Sequence, residues 1–158
     1  MSVSLPPEVW SLEEALRRFH ESGFNDGDLV THEWLAWSLA LPEPTTADEL
    51  REQQFLVLDR VEQFKTALLT QHQIALQSVR GKGYRVVPPA EQARYAAEEA
   101  SRHIEKGLRR GDQLLTNTRM DSLTDDERRR HIDTESRMAS LASMASRGRR
   151  DIFKLFQP

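Results

Sequence analysis

Arg80, Lys82 and Arg85 fall within six residues, in a part of the chain that is otherwise acidic. Residues 1–89 hold 8 Lys/Arg against 13 Asp/Glu, and residues 90–158 hold 14 against 12. Cationic groups at that density attract an anion, and phosphate suits the planar fork of arginine donors. A local cluster on an acidic body points to a directed contact. General coating of a nucleic acid calls for a basic chain, and the net charge here is −3. Shortly before the cluster, Lys65, Thr70, Gln71 and Gln73 carry the side-chain donors and acceptors that can read base edges.

Residues suited to catalysis are sparse. His20, His32, His72, His103 and His131 are scattered, with no two at metal-ligand spacing. His32-Glu33 near Asp28 is the nearest approach to a metal corner, and a capped helix start accounts for those residues equally well. The chain has no cysteine. That removes disulfides, thiolate zinc sites and cysteine nucleophiles together, and suits a reducing cytosol. Gly81-Lys82-Gly83 lies between two strand-like runs, so it is not the strand–loop–helix glycine loop that cradles phosphate. No Gly-x-Ser-x-Gly elbow occurs. These absences predict a protein that is not an enzyme and takes neither metal nor cofactor.

The elements that position these residues can be read from caps and periodicity. Met1–Pro7 reads as a loose arm with none of the pattern of a signal peptide. Ser11 and Glu14 form a capping-box pattern for a helix carrying Leu12, Leu16 and Phe19 and ending before Gly23. Asn25 to Asp28 is turn chemistry. Thr31 caps a short apolar helix from His32 to about Leu41, in which Trp34 and Trp37 read as core rather than as a base-stacking platform. Pro42 and Pro44 end it. Thr45-Thr46 then open a long helix to about Gln71, with Val57, Val61, Phe64 and Leu68 as its stripe, Leu50 two turns before Val57, and Leu58 and Leu69 broadening it. Ile74, Leu76 and Val79, then Tyr84, Val86 and Val87, flank the two glycines as a β-hairpin, the single β element expected.

From Ala90 the helical period returns. Ala93, Ala97, Ala100, Ile104 and Leu108 line one helix to about Leu115. Thr124 caps another with Ile132, Met138, Leu141 and Ala145, which Gly148 is expected to end. No run approaches the roughly 18 apolar residues of a membrane span. The expected fold is mainly α with one β-hairpin, residues 8–89 forming one domain and residues 90–158 a helical hairpin that packs on itself or across a homodimer.

Val79-Arg80-Gly81-Lys82-Gly83-Tyr84-Arg85-Val86 resembles the last hairpin of the winged-helix output domains of bacterial response regulators, where such a run follows the recognition helix. The Thr31 helix, the proline linker and the long helix extend the resemblance loosely over residues 28–88 as a helix-turn-helix. The resemblance implies double-stranded DNA as partner, with Arg80 and Lys82 on a wing near phosphate or minor groove and Tyr84 packing inward. The first half of the long helix is acidic (Asp48, Glu49, Glu52, Asp59, Glu62), so only its end is placed to reach bases.

The C-terminus is a second signal. Arg147-Gly148-Arg149-Arg150 precedes Asp151-Ile152-Phe153-Lys154-Leu155-Phe156, and the Phe153–Phe156 run is similar to the Leu-Phe peptides with which bacterial replication and repair proteins enter the sliding clamp. The glutamine that usually opens that peptide is missing. Ile152, Phe153, Leu155 and Phe156 either bind such a partner or fold back onto the protein. Two functions thus remain open. One is a cytoplasmic DNA-binding regulatory or accessory protein, in the style of small temperate-phage proteins. The other is a module that binds and modulates a host or replication protein through its tail.

Overall fold

The computed structural model of the chain describes residues 9–158. The Met1–Pro7 arm lies outside the described residues. The fold is mostly helical with a small three-stranded antiparallel sheet, and it divides into two compact units, one up to Ala90 and one from Glu91 to Pro158.

In the first unit, α1 (Leu12–Ser22) begins where Ser11 accepts the Glu14 backbone N–H and stops at Gly23, whose φ of 66 is left-handed. An Asn25–Asp28 turn, closed by Asp28 N–H to Asn25 O at 3.0 Å, leads into β1 (Leu29–Thr31). Thr31 then caps α2 (His32–Ser38) by accepting the Trp34 N–H. Thr46 caps α3 (Ala47–His72), and Gln73 closes it with φ 56. The hairpin of β2 (Leu76–Val79) and β3 (Gly83–Val86) follows.

Strand β1 corrects the expectation of a single hairpin: β3 lies between β2 and β1, with Val30 opposite Tyr84. At three residues it is too short for a period of two to show, and its last residue doubles as a helix cap. Its value is in packing, since Val30 is fully buried. Phe19, Phe64, Leu35, Leu39, Leu68 and Val86 join it in one core. Burying each such side chain is worth roughly 1.5–3 kcal/mol. Trp34 belongs to this core as expected, edge-on to Phe19 at 6.1 Å and donating its Nε1 hydrogen to Ser22 Oγ at 3.0 Å.

Two details of α2 and α3 depart from the sequence reading. Helix α2 stops at Ser38 because Ala40 takes a left-handed φ of 51, and Arg60 of α3 donates to the carbonyls of Leu39 and Ala40 at 2.9 and 2.7 Å. Along α3, Val61, Phe64 and Leu68 are buried, whereas Leu50, Leu58 and Leu69 are exposed and not part of the stripe. The core covers only the second half of the helix.

The second unit is α4 (Pro89–Thr116, its first two residues in the first unit), a 3-10 turn (Met120–Ser122) and α5 (Asp125–Lys154). Proline at the first helical position lacks a donor that would be unpaired anyway. A full capping box of Thr124 and Glu127 starts α5. Between the helices, His131 Nε2 meets Leu115 O at 3.1 Å, and Arg149 forms an ion pair with Glu105. Gly148 does not end α5, which continues to Lys154. A mid-helix glycine costs only about 1 kcal/mol against alanine, and the flanking arginines are good helix formers. Among the described residues no helix is long and apolar enough to cross a membrane.

Candidate nucleic-acid interface

The hairpin turn is built by its glycines. Lys82 N–H bonds Val79 O at 3.0 Å, closing a four-residue turn whose third residue, Gly81, has φ +75. A type II turn demands a positive φ there. The turn lifts Arg80 and Lys82 into solvent, both exposed. Among the described residues neither makes an ion pair or a side-chain hydrogen bond. Arg17, Arg94, Arg102 and Arg137 each pair with a carboxylate of their own helix, whereas Arg109, Arg110, Arg129, Arg147 and Arg150 of the second unit are exposed without an ion pair among the described residues.

Strand alternation then sorts the rest of the hairpin. Tyr84 shares a face with Val30 and Ser78 and packs against the core, as the resemblance implies. Arg85, opposite Leu29 and Gln77, is on the other face; it is half-buried and already partnered, so it is not a free cation. Lys65 reaches the hairpin from α3, with its Nζ 5.3 Å from the centre of the Tyr84 ring and 3.2 Å from Glu62 Oε1. Its charge is therefore largely answered within the protein.

Thr70, Gln71 and Gln73 stand exposed at the end of α3. The Thr70 hydroxyl donates to Thr66 O at 2.8 Å. Thr70 and Gln71 line a shallow groove with Asp59 and Glu62, two carboxylates that oppose a phosphate backbone. The residues expected at the interface thus separate into a cationic turn and an acid-flanked helix end.

The tail residues separate too. Ile152 and Phe153 are in α5 rather than in a free peptide, Ile152 lining a groove against α4. Phe153 and Phe156 are half-buried with ring centres 6.5 Å apart, and Leu155 is 79% exposed. Sequence reasoning missed a further exposed apolar patch on α3: Phe55 is 74% exposed and Leu58 64%. The signal that could have found it was Phe55 itself, an aromatic residue outside the Val57–Val61–Phe64–Leu68 stripe. Among the described residues no group of three or more potential metal ligands comes together. Comparison with protein-family models, curated proteins and solved structures finds no match for this chain.

Proposed function

We propose that this protein is a non-enzymatic DNA-binding regulatory or accessory protein that lays its basic hairpin turn along the phosphate backbone. The observation that carries the reading is the pair Arg80 and Lys82, exposed on a glycine-built turn and without an ion pair among the described residues, where the other cations of the first unit are engaged, Arg17, Arg18, Arg51 and Lys65 by carboxylates and Arg60 by backbone carbonyls. The order of elements supports it: α2, a proline connector and α3 feed directly into the hairpin, as a helix-turn-helix followed by a wing requires. A homodimer would present two such turns to one duplex. The test is binding to random duplex DNA across a salt titration. Arg80→Ala/Lys82→Ala should weaken binding and flatten the logarithmic salt slope by about 1.8, at about 0.9 for each phosphate no longer neutralised. An unchanged slope refutes the reading.

The second reading is a module that docks a host or replication protein through its tail. It is favoured by Leu155, which stands 79% exposed beside the half-buried Phe153 and Phe156. Titration of the protein into a purified bacterial sliding clamp tests it, with Leu155→Asp expected to abolish the heat of binding. Absence of any heat from the unaltered protein would dismiss the clamp as its partner.

A further inference from the structure

Helices α4 and α5 contain no buried residue among them. Apolar helical stripes are stable in water only when packed on another layer, and this hairpin has a single layer of its own. The apolar residues that remain open are not scattered. Leu141, Met144, Ile152 and Leu155, with Gly148 between, follow three- and four-residue steps along one side of α5, and all four are about half exposed or more. On α4, Ile104 and Leu114 are 51% and 58% exposed. Ile104 and Ile152 line one groove floored by small residues, including Ala97, Ala100 and Ala145. Leu141, eleven residues or about three turns before Ile152, shares its side of α5, and with Met144 it lines a second shallow groove on that helix.

We infer that this face is covered by a second copy of the chain, two α4–α5 hairpins stacking into a four-helix bundle. Its dimensions fit. Helices of 28 and 30 residues are about 42 and 45 Å long and about 10 Å wide, so the face measures about 40 by 20 Å. That is about the 800 Å² per partner that a stable dimer buries.

The charges also fit a copy of the same chain. Residues 91–105 carry 4 acidic and 2 basic groups, and residues 106–116 carry 1 and 3. On α5 the order along the chain is the same, residues 125–139 carrying 5 acidic and 4 basic groups and residues 140–154 carrying 1 and 4, and the helix runs antiparallel to α4. Face-to-face stacking about a two-fold axis sets an acidic half against a basic half whether α4 lies on α4 or on α5 of the second copy. A foreign partner would have no reason to match this internal polarity.

This inference rests on the homodimer part of the proposed function and not on DNA. Sedimentation velocity of the full chain without DNA, at micromolar concentration, should give twice the chain mass of 18.2 kDa. Ile104→Glu/Met144→Glu should reduce it to one chain, whereas Ile132→Glu, nine residues and half a turn out of phase from Leu141, should leave it unchanged. Because the chain has no cysteine, single cysteines report the face directly even where a glutamate variant misfolds. Leu141→Cys should cross-link between copies with a bis-maleimide, and Ser143→Cys, on the opposite side of the helix, should not. A monomeric unaltered chain, or equal cross-linking at the two positions, overturns the inference. Arg80→Ala/Lys82→Ala that no longer binds DNA but keeps twice the chain mass would leave it standing.

Discussion

Gly81 and Gly83 are two residues apart, yet alanine should be tolerated very differently at each. At Gly81 the φ of +75 is left-handed, but an added Cβ meets no atom within 4 Å. The cost there is the backbone strain alone, about 1–2 kcal/mol. At Gly83 the φ is +139, and the Cβ would sit 2.1 Å from Val30 O and 3.0 Å from Thr31 Cα. Backbone atoms cannot swing aside as a side-chain end can, so β1 must move off β3. That adds the loss of a short ladder, at about 0.5–1.5 kcal/mol for each hydrogen bond. It also loosens Val30, whose full burial is worth about 1.5–3 kcal/mol. Gly83→Ala should therefore cost about 3–6 kcal/mol, a large share of the stability of a small domain. Urea denaturation of the two variants beside the unaltered protein measures the difference. Should Gly83→Ala cost no more than Gly81→Ala, the close approach of β1 to β3 is wrong, and with it the account of what holds the hairpin in place.

Arg60 should be the most sensitive charged residue of the first unit. Removing it leaves the Leu39 and Ala40 carbonyls without their donor at the left-handed end of α2, so Arg60→Ala should cost about 1.5–3 kcal/mol by denaturant midpoint. Acid should weaken the fold through its helix starts. The Glu14 carboxyl is held below its ordinary value of 4.5 by the Arg17 guanidinium, Glu49 by the Thr45 hydroxyl, and Glu127 by the Thr124 backbone N–H. A depressed folded pKa means that this stabilisation is present above about 4.5 and lost as the pH falls through the folded values. Melting temperatures followed downward through that window should drop, and less steeply in a Glu14→Gln/Glu49→Gln/Glu127→Gln variant; parallel curves would refute the assignment.

Helix starts were legible because caps are local: Ser11, Thr31, Thr46 and Thr124 each accept a backbone N–H within their own turn. The hairpin was legible for the same reason, its turn being set by Gly81 and Gly83. What escaped depends on distant partners. Three residues of β1 become a strand only because β3 lies beside them. Leu50 and Leu58 have the spacing of core residues, but spacing cannot tell how far along α3 the covering surface extends. At the candidate site, the exposure of Arg80 and Lys82 follows from the turn. The engagement of Lys65 by Tyr84 and Glu62 follows from how α3 packs on the sheet, which no local pattern records.

The acidity of α3 narrows what the proposed DNA contact can be. Asp48, Glu49, Glu52 and Asp59 lie along the exposed half of the helix, with Phe55 and Leu58 bare between them. Such a surface is repelled by a groove walled with phosphate, and Thr70 and Gln71 share theirs with Asp59 and Glu62. The contact is then left to the hairpin tip, and a contact with the backbone alone reads no sequence. Duplexes of unrelated sequence should accordingly bind with equal affinity. Each hairpin tip offers two free cations, so one engaged tip should give a logarithmic salt slope of about −1.8 and a dimer with both tips engaged about −3.6. The slope thus counts the copies on the duplex. Measured on the unaltered chain and on Ile104→Glu/Met144→Glu, it should fall by half between them; an equal slope in both would mean that the second hairpin never reaches the DNA.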